Sequence, residues 1–294
     1  MGDGFGNTIT MREPLRFSWK HWWNLVLVLV AAAGIVAWHF RVLDGRVAAA
    51  AVLGWVALGF VVSPAIMYEH LGFLDRQVFH DYFKANLRYR KAIETGKATS
   101  QGFCALASLN LAEGDAQAAV ELLEEAVKKL PEDHHLFALM SRALSRAGRH
   151  EEAIAAALRC RKLHGRHPLS DEVLADALKA KGDYLSAAAA YQEALKKDPG
   201  LVRSRVNLSA AYLMLGEVKA AEREIAEALR LRPRDPDALY WAGRIAQAKG
   251  DLEPAASYLR SALEVRPLDD KALAIPYQEV LKAYASVADG SGAL

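Results

Sequence analysis

Two stretches near the N-terminus carry no charged side chain. Residues 22–40 (WWNLVLVLVAAAGIVAWHF) and 47–67 (VAAAAVLGWVALGFVVSPAIM) are free of Asp, Glu, Lys and Arg. Each is about 20 residues long, and a helix rising about 1.5 Å per residue then crosses a hydrocarbon core of ~30 Å. Both are apolar all round, which argues against an ordinary amphipathic packing face. Trp19, Trp22 and Trp23 at one edge, and Trp38, His39 and Phe40 at the other, make the aromatic belt expected at headgroups. The pattern predicts an N-terminal tail over 1–18 and a two-helix transmembrane hairpin over 19–67. A secretory signal is the rival for the first stretch. That apolar run is longer than a usual signal core, and a second one follows at once. The short connection at 41–46 makes the spans antiparallel, so both chain ends share one side of the membrane.

Beyond residue 97 the pattern changes to amphipathic helices with an internal period. Gly114, Gly148, Gly182, Gly216 and Gly250 stand 34 residues apart. Five residues after each comes Ala119, Ala153, Ala187, Ala221 or Ala255, and seven further on Ala126, Cys160, Ala194, Ala228 or Ala262. Pro131, Pro199, Pro233 and Pro267 keep the register; Gly165 takes the remaining place, with Pro168 three residues later. Glycine suits a left-handed turn after a first helix. Asp115, Asp183, Glu217 and Asp251 follow it, with Arg149 in the second copy, and an acid there can cap a second helix. The alanines permit close helix approach where a larger side chain would overpack. Proline ends the second helix.

Phrases such as GDYLSAAAAYQEALKKDP (182–199) and GDLEPAASYLRSALEVRP (250–267) resemble the tetratricopeptide-repeat (TPR) family. The resemblance covers residues 100–267 in phase. It implies an all-α solenoid, a right-handed superhelix of five helix–turn–helix repeats at 100–133, 134–167, 168–201, 202–235 and 236–267. The chain departs from the family pattern near the start of the first helices, where only Phe103 and Phe137 keep the large aromatic; Asp171, Arg205 and Leu239 replace it elsewhere. Tyrosine at the later first-helix position survives only as Tyr212.

Both ends of the array extend the pattern. One period before Gly114 stands His80, and Ala85 and Ala92 then occupy the small-residue places. Residues 68–98 are expected to be a membrane-proximal helical segment, a degenerate leading half-repeat, docked on the array. Flexible attachment through Gly72 is the alternative. Residues 268–287 are expected to form a capping helix, with Pro276 imposing a kink or a late start. The tail 288–294 is expected to be disordered.

Charge adds sidedness and removes some functions. Residues 1–96 carry ten Lys/Arg against seven Asp/Glu, and residues 97–294 carry 27 against 28. No basic stripe marks a nucleic-acid binder. Basic residues flank the spans on the terminal side, with Arg41 and Arg46 in the short loop, and the two cysteines form no spaced framework. Together these favour an integral membrane protein, of the kind found in a bacterial inner membrane, with both termini in the cytoplasm. The spans hold no ionisable residue except His39 at an edge, so the hairpin reads as an anchor and not as a transport path.

No catalytic constellation, cofactor motif or metal motif is visible. Cys160, His164 and His167 lack a further partner at ligand spacing and read as a small buried hydrophobe and surface histidines; His134 and His135 read as solvated. The family resemblance implies that first helices line a concave groove that takes up a partner protein or peptide. Mapped residue by residue, that face holds Gln101, Cys104, Ser108, His135, Ala138, Arg142, Glu172, Asp176, Lys179, Arg203, Val206, Ala210, Leu213, Asp237, Tyr240, Arg244 and Gln247. Arg142, Arg203 and Arg244 are candidates to hold carboxylates of an extended acidic ligand, with Asn207 placed to fix its backbone; the bland alternative is that these charges only keep the groove soluble. The expected function is a membrane-anchored interaction scaffold that is not an enzyme and takes no nucleic acid. The alternative is an envelope-biogenesis factor, similar in layout to haem- or cytochrome-maturation proteins with a TPR tail.

Overall fold

The computed structural model describes Gly54, Phe60, residues 63–265 and residues 275–288. The tails and most of the two apolar stretches lie outside the described residues. Among the described residues no helix is long and apolar enough to cross a membrane.

The described residues form thirteen helices and no strand. They are α1 (Pro64–Gln77), α2 (Tyr82–Glu94), α3 (Ser100–Ala112), α4 (Ala116–Lys129), α5 (His134–Arg146), α6 (His150–His164) and α7 (Pro168–Lys181). Then follow α8 (Tyr184–Lys197), α9 (Val202–Met214), α10 (Val218–Leu231), α11 (Pro236–Lys249), α12 (Leu252–Val265) and α13 (Tyr277–Ala288). Each odd-numbered helix up to α11 packs on the helix that follows it, and each pair packs on the next.

The periodic residues explain this stacking. The five glycines all take a left-handed φ between 76° and 90°, where a Cβ is strained. The next amide closes back on the carbonyl five residues earlier, as in Asp183 N to Leu178 O at 3.0 Å, so each first helix stops at one place. Asp115 and Asp183 then accept from the amides of Ala118 and Ser186 and cap the second helix. Glu217 makes no such side-chain bond, and Arg149 instead clasps Glu152. The ten small residues of the second helices are all fully buried. Leu130, Asp198 and Arg232, each just before a proline, leave helical geometry with φ between −133° and −141°, as a following proline requires.

At two of the three places where the family aromatic is missing, polar contacts replace it, and at the third Leu239 packs in an apolar cluster with Leu259 and Val280. Buried Asp171 receives the Lys197 ammonium, which also donates to Gly165 O at 2.6 Å. Arg205 lies 2.9 Å from Glu224 and donates to Pro199 O. Phe103 is buried, and Phe137 has the Arg159 guanidinium 5.8 Å from its ring centre.

At the leading end, α1 and α2 form a hairpin in which Ala85 and Ala92 are fully buried. Glu69 ties it to the array: its carboxylate accepts from Thr99 N and from Thr99 Oγ1, both at 2.7 Å. At the other end Val280, Ala283 and Val287 of α13 cover Leu239, Leu259 and Ala262. Ile275 and Pro276 are not helical, and α13 starts after the proline, while residues 266–274 lie outside the described residues.

Replacing Glu69 by Ala is expected to cost about 1–3 kcal/mol, because a part-buried amide and hydroxyl lose their charged acceptor. Hydrogen exchange measures the effect: residues 64–94 should lose protection while α5–α10 keep theirs.

Candidate functional site

First helices of neighbouring pairs touch one another: α3 with α5, α5 with α7, and α9 with α11. Between α3, α5 and α7 they leave a pocket of about 550 Å³. Gln101, Cys104, Ser108, His135, Ala138 and Arg142 come together there, and Leu139, Leu169 and Val173 add an apolar wall. The sequence mapping missed these three, since their side chains enter the pocket only once α5 and α7 are packed. A second hollow of about 340 Å³ shares Ser108 and reaches Arg76 and His80 of the leading hairpin. Neither is lined by an acidic residue.

Arg142 makes no hydrogen bond or ion pair among the described residues. Although the residue as a whole is exposed, its surroundings desolvate the charge and pull its pKa down, and the like charge of Arg203 adds to this while Asp176 and Glu172 oppose it. An anion arriving there relieves an existing electrostatic penalty.

The next stretch of the groove is already neutralised. Asp176 accepts from Tyr191 Oη at 2.5 Å, from Asn207 Nδ2 at 3.2 Å and from the Arg203 guanidinium. Lys179 donates to Asn207 Oδ1 at 2.8 Å. Glu172 is buried beside Arg203, 3.5 Å away. Burial raises the Glu172 carboxyl pKa against the pull of Arg203. Burial likewise opposes the charge on Arg203, but Asp176 and Glu172 outweigh it and hold the pKa above its ordinary value. Arg203 and Asn207 are thus partners of Asp176 first, and their availability to a ligand is reduced.

Two family models, both described as Tetratricopeptide repeat, match the chain: one at 110–167 and 178–230, the other at 211–272. Together they take in more than half of it. The chain belongs to the tetratricopeptide-repeat family. Among solved structures it is similar to a TPR protein from Parabacteroides merdae, 13% identical over 88% of this chain and 98% of that one, with a TM-score of 0.66. It is also similar to TTC0263 from Thermus thermophilus, 23% identical over 65% and 99%, with a TM-score of 0.56. These likenesses are of fold. A curated relative, the tetratricopeptide repeat and J domain-containing co-chaperone DNJ1 of Cryptococcus neoformans, is 32% identical over 92 residues. That match takes in 31% of this chain and 18% of the relative. TPR proteins serve as protein–protein interaction scaffolds, and this chain carries that architecture.

Within the TPR array the C-terminal part of the mapped face is covered. Tyr240 is only 1% exposed, and its hydroxyl donates to Glu279 of α13 at 2.9 Å while accepting from Arg244 at 3.0 Å. The three mapped arginines therefore have different standings: Arg203 and Arg244 have partners inside the fold, and Arg142 stands open in a pocket.

The histidines differ from expectation too. His134 stacks on His164 with ring centres 4.1 Å apart, His164 stacks on His167 at 5.1 Å, and the His135 ring is tilted against His134 at 4.0 Å. Stacked faces do not converge their nitrogens, and among the described residues no group of three ligands is placed to hold a metal. His134 is not simply solvated: burial, then the neighbouring His135 and His164, lower its pKa from 6.5 to about 4. The cysteines are free, and burial pushes the Cys104 thiol up to about 12 and raises that of Cys160, which keeps both unreactive.

A lowered histidine pKa stabilises the fold above pH 6.5 and loses that contribution as pH falls toward 4. Replacing His134 by Gln is expected to flatten part of the fall in Tm between those pH values relative to the parent chain, measured by thermal unfolding in matched buffers.

Proposed function

We propose that this protein is a membrane-anchored scaffold that holds an acidic, partly apolar segment of a partner protein at the membrane-proximal end of its groove. The single observation that carries the reading is Arg142: a cation with no hydrogen bond or ion pair among the described residues, at the edge of a 550 Å³ pocket lined by no acid and walled by Leu139, Leu169 and Val173. A carboxylate on Arg142 and an apolar side chain against that wall satisfy both demands of the pocket. The hollow beyond Ser108, with Arg76 and His80, continues the positive lining. A relative whose name calls it a co-chaperone carries the same repeats, which favours a protein ligand. Membrane anchoring rests on the two charge-free stretches before residue 68, and a cytoplasmic array on the basic flanks.

Full-length protein in detergent extract should capture its partner, and Arg142→Ala should weaken capture by about 10- to 100-fold, the worth of a charged hydrogen bond in a confined site. The parent interaction should weaken with salt, and the variant's less so. Arg244→Ala should leave capture nearly unchanged. Equal affinity and salt response for parent and Arg142→Ala would remove the pocket from the interaction. Protease added outside intact cells should leave residues 100–265 uncut; cleavage there would place the array on the other side.

A further inference from the structure

The outer face of the leading hairpin is unlike the rest of the array. Phe73, Val78, Phe79, Tyr82, Phe83 and Leu87 are between 47% and 81% exposed, with Phe83 the most open. Elsewhere in the array, large exposed apolar side chains such as Leu158 and Leu185 are scattered singly or in pairs. α2 already spends its inward face on Ala85, Tyr89 and Ala92. Phe83 and Leu87 stand on the opposite face, so the helix is apolar on both sides. A repeat array in water needs a polar outer face on its terminal unit. This end has the reverse, and an apolar surface of this kind marks an interaction site.

The position and the charge of the hairpin indicate what covers it. The charge-free stretch from residue 47 runs through Ser63 to Met67, within the first turn of α1. Ser63 leaves helical geometry, with φ −150° and ψ 75°, and Pro64 opens α1 as a new helix. Phe60 packs edge to face on Tyr68 with ring centres 5.1 Å apart, which holds the arriving chain against the start of α1. α1 has 14 residues and is therefore about 21 Å long, so the hairpin tip lies no farther than about that distance from the point where the preceding stretch joins α1. The chain reverses at His80, which has φ 52°, placing Phe79 and Phe83 at the tip. The acids of this hairpin are mostly engaged: Glu69 by Thr99, Asp75 by Arg88 at 3.0 Å, and Asp81 by Lys84 at 2.9 Å. Arg76, Arg90 and Lys97 make no ion pair among the described residues. Aromatic side chains among unpaired cations fit the headgroup layer of an anionic bilayer.

We propose that the tip of the α1–α2 hairpin, Val78, Phe79, Tyr82 and Phe83, inserts among the headgroups of the leaflet from which the chain emerges, with Arg76, Arg90 and Lys97 near anionic lipid. The array is then held to the membrane at two places and lies along it, and the Arg142 pocket faces ligands at the membrane surface. The proposal rests on the membrane anchoring proposed above.

The test uses the full chain with Cys104→Ser and Cys160→Ala, reconstituted in phosphatidylcholine vesicles containing phosphatidylglycerol. The fluorophore NBD is attached at one new cysteine: Val56→Cys in the charge-free stretch, Phe83→Cys at the tip, or Leu185→Cys on α8 as the solvent control. Lipids with doxyl groups near the headgroup should quench NBD at 83, lipids with doxyl groups deep in the acyl chain should quench NBD at 56, and both should spare 185. Omitting phosphatidylglycerol should reduce quenching at 83 and leave 56 unchanged. Quenching at 56 with 83 open to aqueous iodide overturns the insertion and leaves the anchor standing. Loss of quenching at both positions overturns the anchor and the insertion together. NBD at 83 shielded from both iodide and doxyl lipid means that protein covers the tip, a second copy or a partner, and overturns the proposal.

Discussion

Two positions in each second helix, seven residues apart, admit nothing larger than cysteine, and the remaining packing follows from that. Ala119 and Ala126, Ala153 and Cys160, Ala187 and Ala194, Ala221 and Ala228, and Ala255 and Ala262 are all fully buried. At close helix approach a larger side chain would have to displace backbone, because interiors are already packed to crystal density. With those contacts set, neighbouring pairs nest in the same way each time. The left-handed glycines keep the nesting in phase by ending each first helix at a set residue. The same two small positions recur as Ala85 and Ala92 in the leading hairpin, which is why a segment with so little of the repeat pattern still stacks.

Stacking produces a wall of first helices, but charge divides that wall into unequal parts. In the middle, Asp176 gathers Tyr191, Asn207 and Arg203, so its carboxylate has the company that a half-buried acid needs. Toward the C-terminus, α13 lies over Tyr240 and takes its hydroxyl through Glu279. The part between α3, α5 and α7 combines open volume, an apolar wall and a cation without a hydrogen bond or ion pair among the described residues. The uneven groove thus follows from where acids happen to stand beside arginines. Those pairings run between repeats, 27 residues apart in the case of Asp176 and Arg203.

The two ends of the array differ in their surfaces. α13 buries Val280, Ala283 and Val287 and leaves exposed residues such as Glu279 and Lys282 outside, as a cap in water should. The leading hairpin is tied inward by Glu69 yet apolar on its outer side. A buried carboxylate that satisfies a loop amide and hydroxyl gives this docking a direction that apolar packing alone lacks, since hydrogen bonds require geometry and burial does not.

Most of the architecture was legible in sequence because it depends on residue size and backbone conformation at a fixed interval. Those are properties of single positions: glycine where φ is positive, alanine where helices approach, proline where a helix must stop. The starts of the five first helices at Ser100, His134, Pro168, Val202 and Pro236 follow from that interval. The working surface was legible only as a face. Position on a helix puts Arg142, Arg203 and Arg244 on one face, the first and the last at equivalent places in their repeats and Arg203 two turns earlier in its own. Tertiary structure decided that Arg203 meets Asp176, that Arg244 meets Tyr240 under α13, and that Arg142 meets open space. The same holds for the stacked histidines and for Glu69 with Thr99: each joins residues whose proximity exists only after the helices have packed, and long-range electrostatics and hydrogen bonding leave no periodic trace along the chain.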